Sequence, residues 1–360
     1  MSPEKVGHFP PESDFGHEPV LLKEVLAFLE EGLSGRNVPG GERKRPGIVD
    51  GTLGLGGYSE AMLRKFPQAE VIGIDRDAEA LRRAKVRLEA FGPRFSAVHS
   101  NFGNLRSALT GEGPEGSGEP FDQATGSSGV ERLRSDESVG CFGSECGDPL
   151  RLKKFDAFVF DLGVSNMQLS EGERGFSFQR DGPLDMRMDP GGDFPTAAEV
   201  LARTDVKELA RIFWEYGEER HSRRIAARIE EYRRKGKSPR TTGELTALIR
   251  GCLPEPVQRK MGGHPARRVF QALRIYVNDE LGELEAMLEQ LPVLAAEGCL
   301  AVIVSYHSLE DRIVKHRFRG WEKEMGWGRI LTKHPIVPGE EEMERNYKSR
   351  SAKLRAFRFN

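Results

Sequence analysis

Val49-Asp50-Gly51-Thr52-Leu53-Gly54-Leu55-Gly56-Gly57-Tyr58, followed by Val71-Ile72-Gly73-Ile74-Asp75, carries the clearest structural pattern in the chain. It reads as an apolar strand, a glycine-rich turn, a helix over 58–66 and a second strand that ends in a carboxylate. Glycines let a backbone turn sharply and approach a ligand closely, and the helix that follows offers unpaired N–H groups at its start. An acid about 20 residues past such a turn is where nucleotide-binding α/β proteins hold ribose hydroxyls. The pattern predicts a pocket for an adenosine-containing cofactor; a tight strand-to-helix turn with no ligand is the alternative.

Outward from this unit the alternation continues. Residues 47–50, 71–75, 95–99, 155–161 and 299–305 are short apolar runs rich in Val, Ile and Phe, as buried parallel strands are. Helices are expected over 20–30, 58–66 and 77–91. Val269, Leu273, Val277, Leu281, Leu284 and Leu288 share three- and four-residue spacings, which predicts one long amphipathic helix over 269–291. Leu354 to Phe359 reads as an edge or antiparallel strand. Between 155–161 and the long helix, helical patterns near 196–203, 205–216, 218–234 and 242–252 are separated by Pro and Gly signals.

The expected architecture is therefore a doubly wound α/β domain interrupted by a helical one. Residues 1–175 and 266–360 form the first and second parts of the α/β domain, and 176–265 the inserted helical domain. Residues 35–47 and 111–150 read as insertions. The second holds nine glycines and few large apolar residues, so a surface loop is expected there.

Composition narrows the class. The chain has 360 residues, 31% of them charged, and a mean hydropathy of −0.52, which fits a soluble protein. No apolar run approaches the ~20 residues needed to span a bilayer. Met1 to Gly16 lacks a basic start followed by an apolar core, so no secretory signal and a cytoplasmic location are expected. Cys141, Cys146, Cys252 and Cys299 are too few and too scattered for a disulfide scaffold, and no second pair completes a metal-ligand spacing. The net charge of −2 conceals an asymmetry: residues 111–150 carry nine acids against two arginines, so the rest of the chain is positive.

The cofactor can be sorted further. Gly54-Leu55-Gly56-Gly57-Tyr58-Ser59 puts serine where a nicotinamide fingerprint wants glycine or alanine. Asp50 closes the first strand, where Rossmann-like methyltransferases carry an acid near the methionine end of S-adenosylmethionine. The fourth strand ends in Asp161-Leu162-Gly163-Val164-Ser165, a carboxylate and a hydroxyl at the sheet edge where open α/β folds place their sites. These features favour S-adenosylmethionine. A structural cap is the alternative for Asp161.

From Asp161 onward, a long string resembles the ribosomal RNA small subunit methyltransferase H family. It comprises Phe160 to Ser165, Gln168-Leu169, Glu173 to Phe178 and Asp181 to Asp189. His17 to Leu22, Tyr216 to Arg220, His264-Pro265, Phe270 to Asn278, Ser305 to Arg312 and Arg350 to Arg355 agree in order. The resemblance implies N4 methylation of a cytidine in 16S rRNA at the decoding centre, within the small ribosomal subunit and at the expense of S-adenosylmethionine. It implies that Gly56, Gly57 and Tyr58 meet the cofactor through the turn, that Asp75 binds the ribose and Phe102 packs near the adenine, and that Asp161 and Gln168 complete the pocket. Tyr58 stands where the family usually has histidine, and Asn166-Met167 replaces a usual Ser-Pro.

A cytosine amine is a poor nucleophile, because its lone pair is conjugated into the ring. Its site must position it for in-line transfer and accept its hydrogens. Asp161, Ser165 and a backbone carbonyl of 161–165 are the candidate acceptors. The Pro-Pro-aromatic motif of DNA amino-methyltransferases is absent. Asp185 and Asp189 are further candidates, with pairing to Arg180 or Arg187 as the alternative. The resemblance makes His307 a candidate for orienting substrate or relaying a proton; a structural histidine is the alternative. No clustered His or Cys suggests a metal.

Basic runs at 220–240, 259–274 and 345–358 are candidate phosphate contacts, and Phe176, Phe178 or Tyr306 a candidate slot for a base taken out of its stack. The rivals are a nicotinamide-dependent oxidoreductase and a non-catalytic small-subunit assembly factor that keeps the cofactor pocket. No membrane partner is expected, and a homodimer is left open.

Overall fold

A computed structural model describes residues 19–33, 45–111, 154–261 and 263–360. The insertion expected at 111–150 lies outside the described residues apart from Gly111, as does the one at 35–47 apart from its last three residues. Met1 to Gly16, His17, Glu18, Cys141 and Cys146 also lie outside them.

Seven strands form one sheet: β1 (Gly47–Asp50), β2 (Glu70–Asp75), β3 (Phe95–His99), β4 (Phe155–Asp161), β5 (Ala295–Ser305), β6 (Gly328–Ile330) and β7 (Lys353–Phe359). Their order is β3-β2-β1-β4-β5-β7-β6. The strands from β3 to β5 pair in parallel, while β7 runs antiparallel between β5 and β6. The final apolar-basic run is thus antiparallel but interior, and β6 forms the edge. Burial on both faces explains the unbroken apolar runs. In β4, Ala157 and Val159 enter one core cluster while Phe158 and Phe160 enter another on the opposite face.

Among the described residues, α1 (Leu22–Leu33), α2 (Gly57–Lys65), α3 (Ala78–Leu88), α4 (Leu105–Thr110) and α5 (Asn166–Ser170) precede the helical region. Between β4 and β5 come α6 (Ala197–Arg203), α7 (Val206–Glu215), α8 (Ser222–Arg234), α9 (Thr242–Cys252) and α10 (Glu255–Lys260), then α11 (Arg267–Asn278) and α12 (Glu280–Leu294). The chain closes with α13 (Ser308–Lys323) and α14 (Glu340–Arg345). Capping boxes start α6 at Thr196 with Glu199 and α9 at Thr241 with Glu244. A third core cluster joins Leu209, Phe213, Ile225, Ile229, Leu245 and Ile249 to Val269, Phe270 and Leu273 of α11.

The single helix expected over 269–291 is two. Asp279 takes φ 47 and ψ 40, a left-handed conformation that ends α11 and starts α12. α11 packs into the helical cluster, whereas Leu284, Met287, Leu288 and Leu291 of α12 pack against the sheet. The apolar spacing runs through the break without interruption, so periodicity cannot reveal one left-handed residue.

Candidate active site

The strand order reverses between β1 and β4, and a cleft opens at the carboxyl ends of these strands and β2. It holds about 1130 Å³ of open space, part of it continuous with solvent. The glycine turn forms its floor and is laced to the neighbouring strands. Leu53 N donates to Ile74 O at 2.9 Å, Gly54 N to Asp75 Oδ2 at 2.7 Å, and Asp161 N to Thr52 Oγ1 at 2.6 Å. At Gly51 a Cβ would run into the Phe160 ring. Gly56 sits at φ 79 as the N-cap of α2, where a Cβ would lie 2.9 Å from Leu88 Cδ1. Gly57 and Tyr58 line the cleft; Gly56 shapes the turn without lining it.

Asp75 lines the cleft, its Oδ1 accepting from Asp77 N at 2.9 Å and its Oδ2 from Gly54 N. Each oxygen keeps a lone pair for a ligand hydroxyl. Burial pushes its carboxyl upward. Phe102 forms part of the cleft wall, edge-on to Phe160 at 6.3 Å. Asp50 does not reach the cleft. It lies beneath the turn, accepting from Ser59 Oγ at 2.7 Å and Thr52 N at 3.4 Å, and burial pushes its carboxyl up to about 6. Through these contacts it braces the turn.

Asp161 stands at the far end of the cleft, its Oδ1 accepting from the Tyr306 hydroxyl at 2.7 Å. Burial pushes its carboxyl up to about 7, against the pull of that hydrogen bond and of the Lys348 cation. Lys348 also lines the cleft and donates from Nζ to Val164 O at 3.0 Å. Burial pushes its ammonium down to about 8, with Asp161 opposing. In the sequence Lys348 is only one cation of a basic run, since its partners lie some 180 residues away. The Tyr58 ring is buried, its hydroxyl donating to the Val20 carbonyl, and desolvation raises its pKa.

Ser165 and Gln168 line the cleft and also form the capping box of α5, Gln168 N donating to Ser165 Oγ at 3.2 Å and Ser165 N to Gln168 Oε1 at 3.0 Å. Gln168 Nε2 and Arg174 Nη1 both donate to Asp77 Oδ2, at 3.1 and 2.9 Å. Arg174 Nη2 reaches the Arg187 and Met188 carbonyls, which ties the 172–189 loop to the end of β2.

His307 lies outside the cleft lining. It is the N-cap of α13, its Nδ1 accepting from Glu310 N at 3.4 Å and its Nε2 lying 3.2 Å from Glu310 Oε1. Glu310 Oε2 accepts from the Tyr306 and His307 amides at 2.8 and 3.2 Å. His307 and Glu310 thus hold the turn that carries Tyr306. Glu280 joins His307 and Glu310 within 4.8 Å, a grouping with metal-ligand chemistry. However, the Arg274 guanidinium donates to both Glu280 oxygens at 2.7 Å, so these groups are spent on one another.

The other candidates fall to structural partners. Asp185 holds Arg187 at 2.8 and 2.9 Å, and Asp189 accepts from Gly191 N at 3.0 Å in its own turn. Phe176 is buried in the helical cluster, and Phe178 stacks on His264 at 4.7 Å, whereas Tyr306 lines the cleft. The basic runs are similarly reduced. Arg228, Arg233 and Arg234 pair with glutamates of α8, Arg274 with Glu280, and Lys353 and Arg355 with Asp311.

The profile of the MraW methylase family matches residues 14–360. The chain belongs to the MraW methylase family. It is 40% identical over 358 residues to the ribosomal RNA small subunit methyltransferase H of Heliobacterium mobile, spanning 95% of this chain and 98% of that one. The enzyme of the same name from Gloeobacter violaceus is 40% identical over 344 residues, covering 95% and 88%.

As a member of this methylase family the chain needs a methyl donor, and the cleft fits S-adenosylmethionine. The glycine turn leads into α2, Asp75 keeps acceptor lone pairs facing the cleft, and Phe102 supplies an apolar wall. No described helix is long and apolar enough to cross a membrane.

Proposed function

We propose that this methylase transfers a methyl group from S-adenosylmethionine to N4 of a cytidine at the decoding centre of 16S rRNA, in the small ribosomal subunit. The names of its relatives point to small-subunit ribosomal RNA. The observation that carries the choice of atom is Asp161, whose carboxylate shares the end of the cleft with the Val164 loop and Tyr306. A buried carboxylate beside a backbone carbonyl provides two acceptors, which is what an exocyclic amine with two hydrogens requires.

S-adenosylmethionine supplies an electrophilic methyl group when bound. Asp75 would hold its ribose, Phe102 its adenine, and the turn at Gly57 and Tyr58 the rest of its backbone-facing edge. Asp161 accepts a hydrogen bond from the target amine and turns the nitrogen lone pair toward the methyl. Once the N–C bond has formed, the nitrogen's surplus proton passes to the carboxylate. Its raised pKa near 7 matches this task, because the group is a better base than an ordinary aspartate and a substantial fraction of it is ionised at neutral pH. The target base must leave its stack to reach this point. The helical domain over 176–265 recognises the RNA, and Arg220, Arg223 and Arg224, exposed and without ion pairs among the described residues, serve as its phosphate contacts.

Labelled methyl transfer to small subunits lacking the modification, to naked 16S rRNA and to large subunits tests the substrate class. Transfer to small subunits alone is expected. Equal labelling of large subunits would overturn the assignment.

A further inference from the structure

Lys348 is a long cationic side chain that lines the cleft. One of its three N–H groups is used on Val164 O at 3.0 Å. The other two share the cleft end with Asp161, whose Oδ1 takes the Tyr306 hydroxyl while Oδ2 is left for another donor. Two acceptors and one strong donor therefore line the same cleft. The ammonium and the carboxylate feel each other's charge, as each shifts the other's protonation.

A cytosine presents a donor at N4 and acceptors at N3 and O2 along one edge. Uracil presents an acceptor, a donor and an acceptor, which would set its O4 against Asp161 and its N3–H against the ammonium. Adenine has the amine and the ring acceptor but lacks the third group. We propose that Lys348 is the specificity-determining residue for the base: its ammonium donates to the N3 and O2 edge of the target cytosine, while Asp161 and the Val164 carbonyl accept from N4. The inference rests on the N4-cytidine reading given above and names the residue that enforces it. A site that buries a donor for a particular acceptor rejects analogues that lack it, because the buried group is then left unpaired.

The test uses the full-length protein loaded with S-adenosylhomocysteine, with cytidine, 3-deazacytidine and uridine as probes. The native protein should bind cytidine about tenfold to a hundredfold more tightly than 3-deazacytidine, the loss expected for one charge-assisted hydrogen bond. Lys348→Met should abolish that difference and raise KM for small subunits while retaining S-adenosylhomocysteine binding, and Lys348→Arg should restore part of it. Equal affinity of the native protein for cytidine and 3-deazacytidine would overturn the proposal without recourse to any variant. So would a Lys348→Met protein that keeps the native preference. If the native protein instead methylates small subunits at an atom other than cytidine N4, the underlying reading falls and the inference falls with it. Transfer to N4 that is indifferent to Lys348 removes the inference alone.

Discussion

Replacing Asp161 by asparagine separates its chemical role from its cost to the fold. The carboxyl is pushed from its ordinary 3.8 up to about 7, chiefly by burial. The folded protein therefore resists ionising this group, whereas the unfolded chain does not. Because the folded pKa is the higher one, the contribution to stability is complete below about pH 4 and is lost as pH rises toward 7. A rise of this size has a ceiling of about 4 kcal/mol. Part of the gain from asparagine is returned, because Lys348 loses its counter-charge and its own burial becomes more costly. A net stabilisation of about 1–2 kcal/mol at pH 8 is expected, shrinking toward zero at pH 4. Urea unfolding of both proteins between pH 4 and pH 8 reads this directly. Methyl transfer should meanwhile fall by about 10²- to 10⁴-fold, since the proton acceptor is gone. A variant less stable than the native protein at pH 8, by a margin that grows with pH, would contradict a net burial penalty at Asp161. It would mean that Tyr306 and Lys348 stabilise the carboxylate by more than burial penalises it.

The pH dependence of kcat/KM should be bell-shaped, rising as Asp161 ionises near 7 and falling as Lys348 loses its proton near 8; rates measured from pH 5.5 to 9.5 check this, and a flat profile would exclude the pair. Gly56→Ala must adopt φ near 79 and press on Leu88, so a loss of about 1–2 kcal/mol in stability and weaker binding of S-adenosylmethionine in calorimetry are expected. Arg174→Met leaves the buried Asp77 carboxylate without its cation and frees the 172–189 loop, so denaturant unfolding should show a loss of about 3 kcal/mol.

Some of this architecture was legible in the chain because of how it is buried. β1, β2 and β4 are covered on both faces, so each is a continuous apolar run, and the acid that closes each run is easy to see. Asp75 and Asp161 could be placed in this way, and Phe102 followed from the resemblance. Asp50 looks the same in sequence, yet the turn carries its side chain under the floor of the cleft. His307 shows the limit more clearly. A histidine after a strand reads alike whether it faces a substrate or caps a helix, and only its spacing to Glu310 hinted at a capping box. The break at Asp279 was invisible because both helices keep the same apolar period. Lys348 was hidden for another reason: its meaning comes from Val164 and Asp161, which are distant in the chain, and a count of charges treats it like any surface cation. The same count overrated the basic runs, where Arg274 and Arg355 are committed to Glu280 and Asp311.

In the proposed reaction Asp161 directs a methyl group onto the N4 atom of one cytidine. Small subunits lacking the modification should be incubated with labelled S-adenosylmethionine and either the native protein or Asp161→Asn, and the 16S rRNA digested and mapped by mass spectrometry. A single N4-methylcytidine at the decoding centre with the native protein, and almost none with the variant, is the predicted result. Methyl groups on carbon 5 or on ribose, or undiminished N4 methylation by the variant, would contradict it.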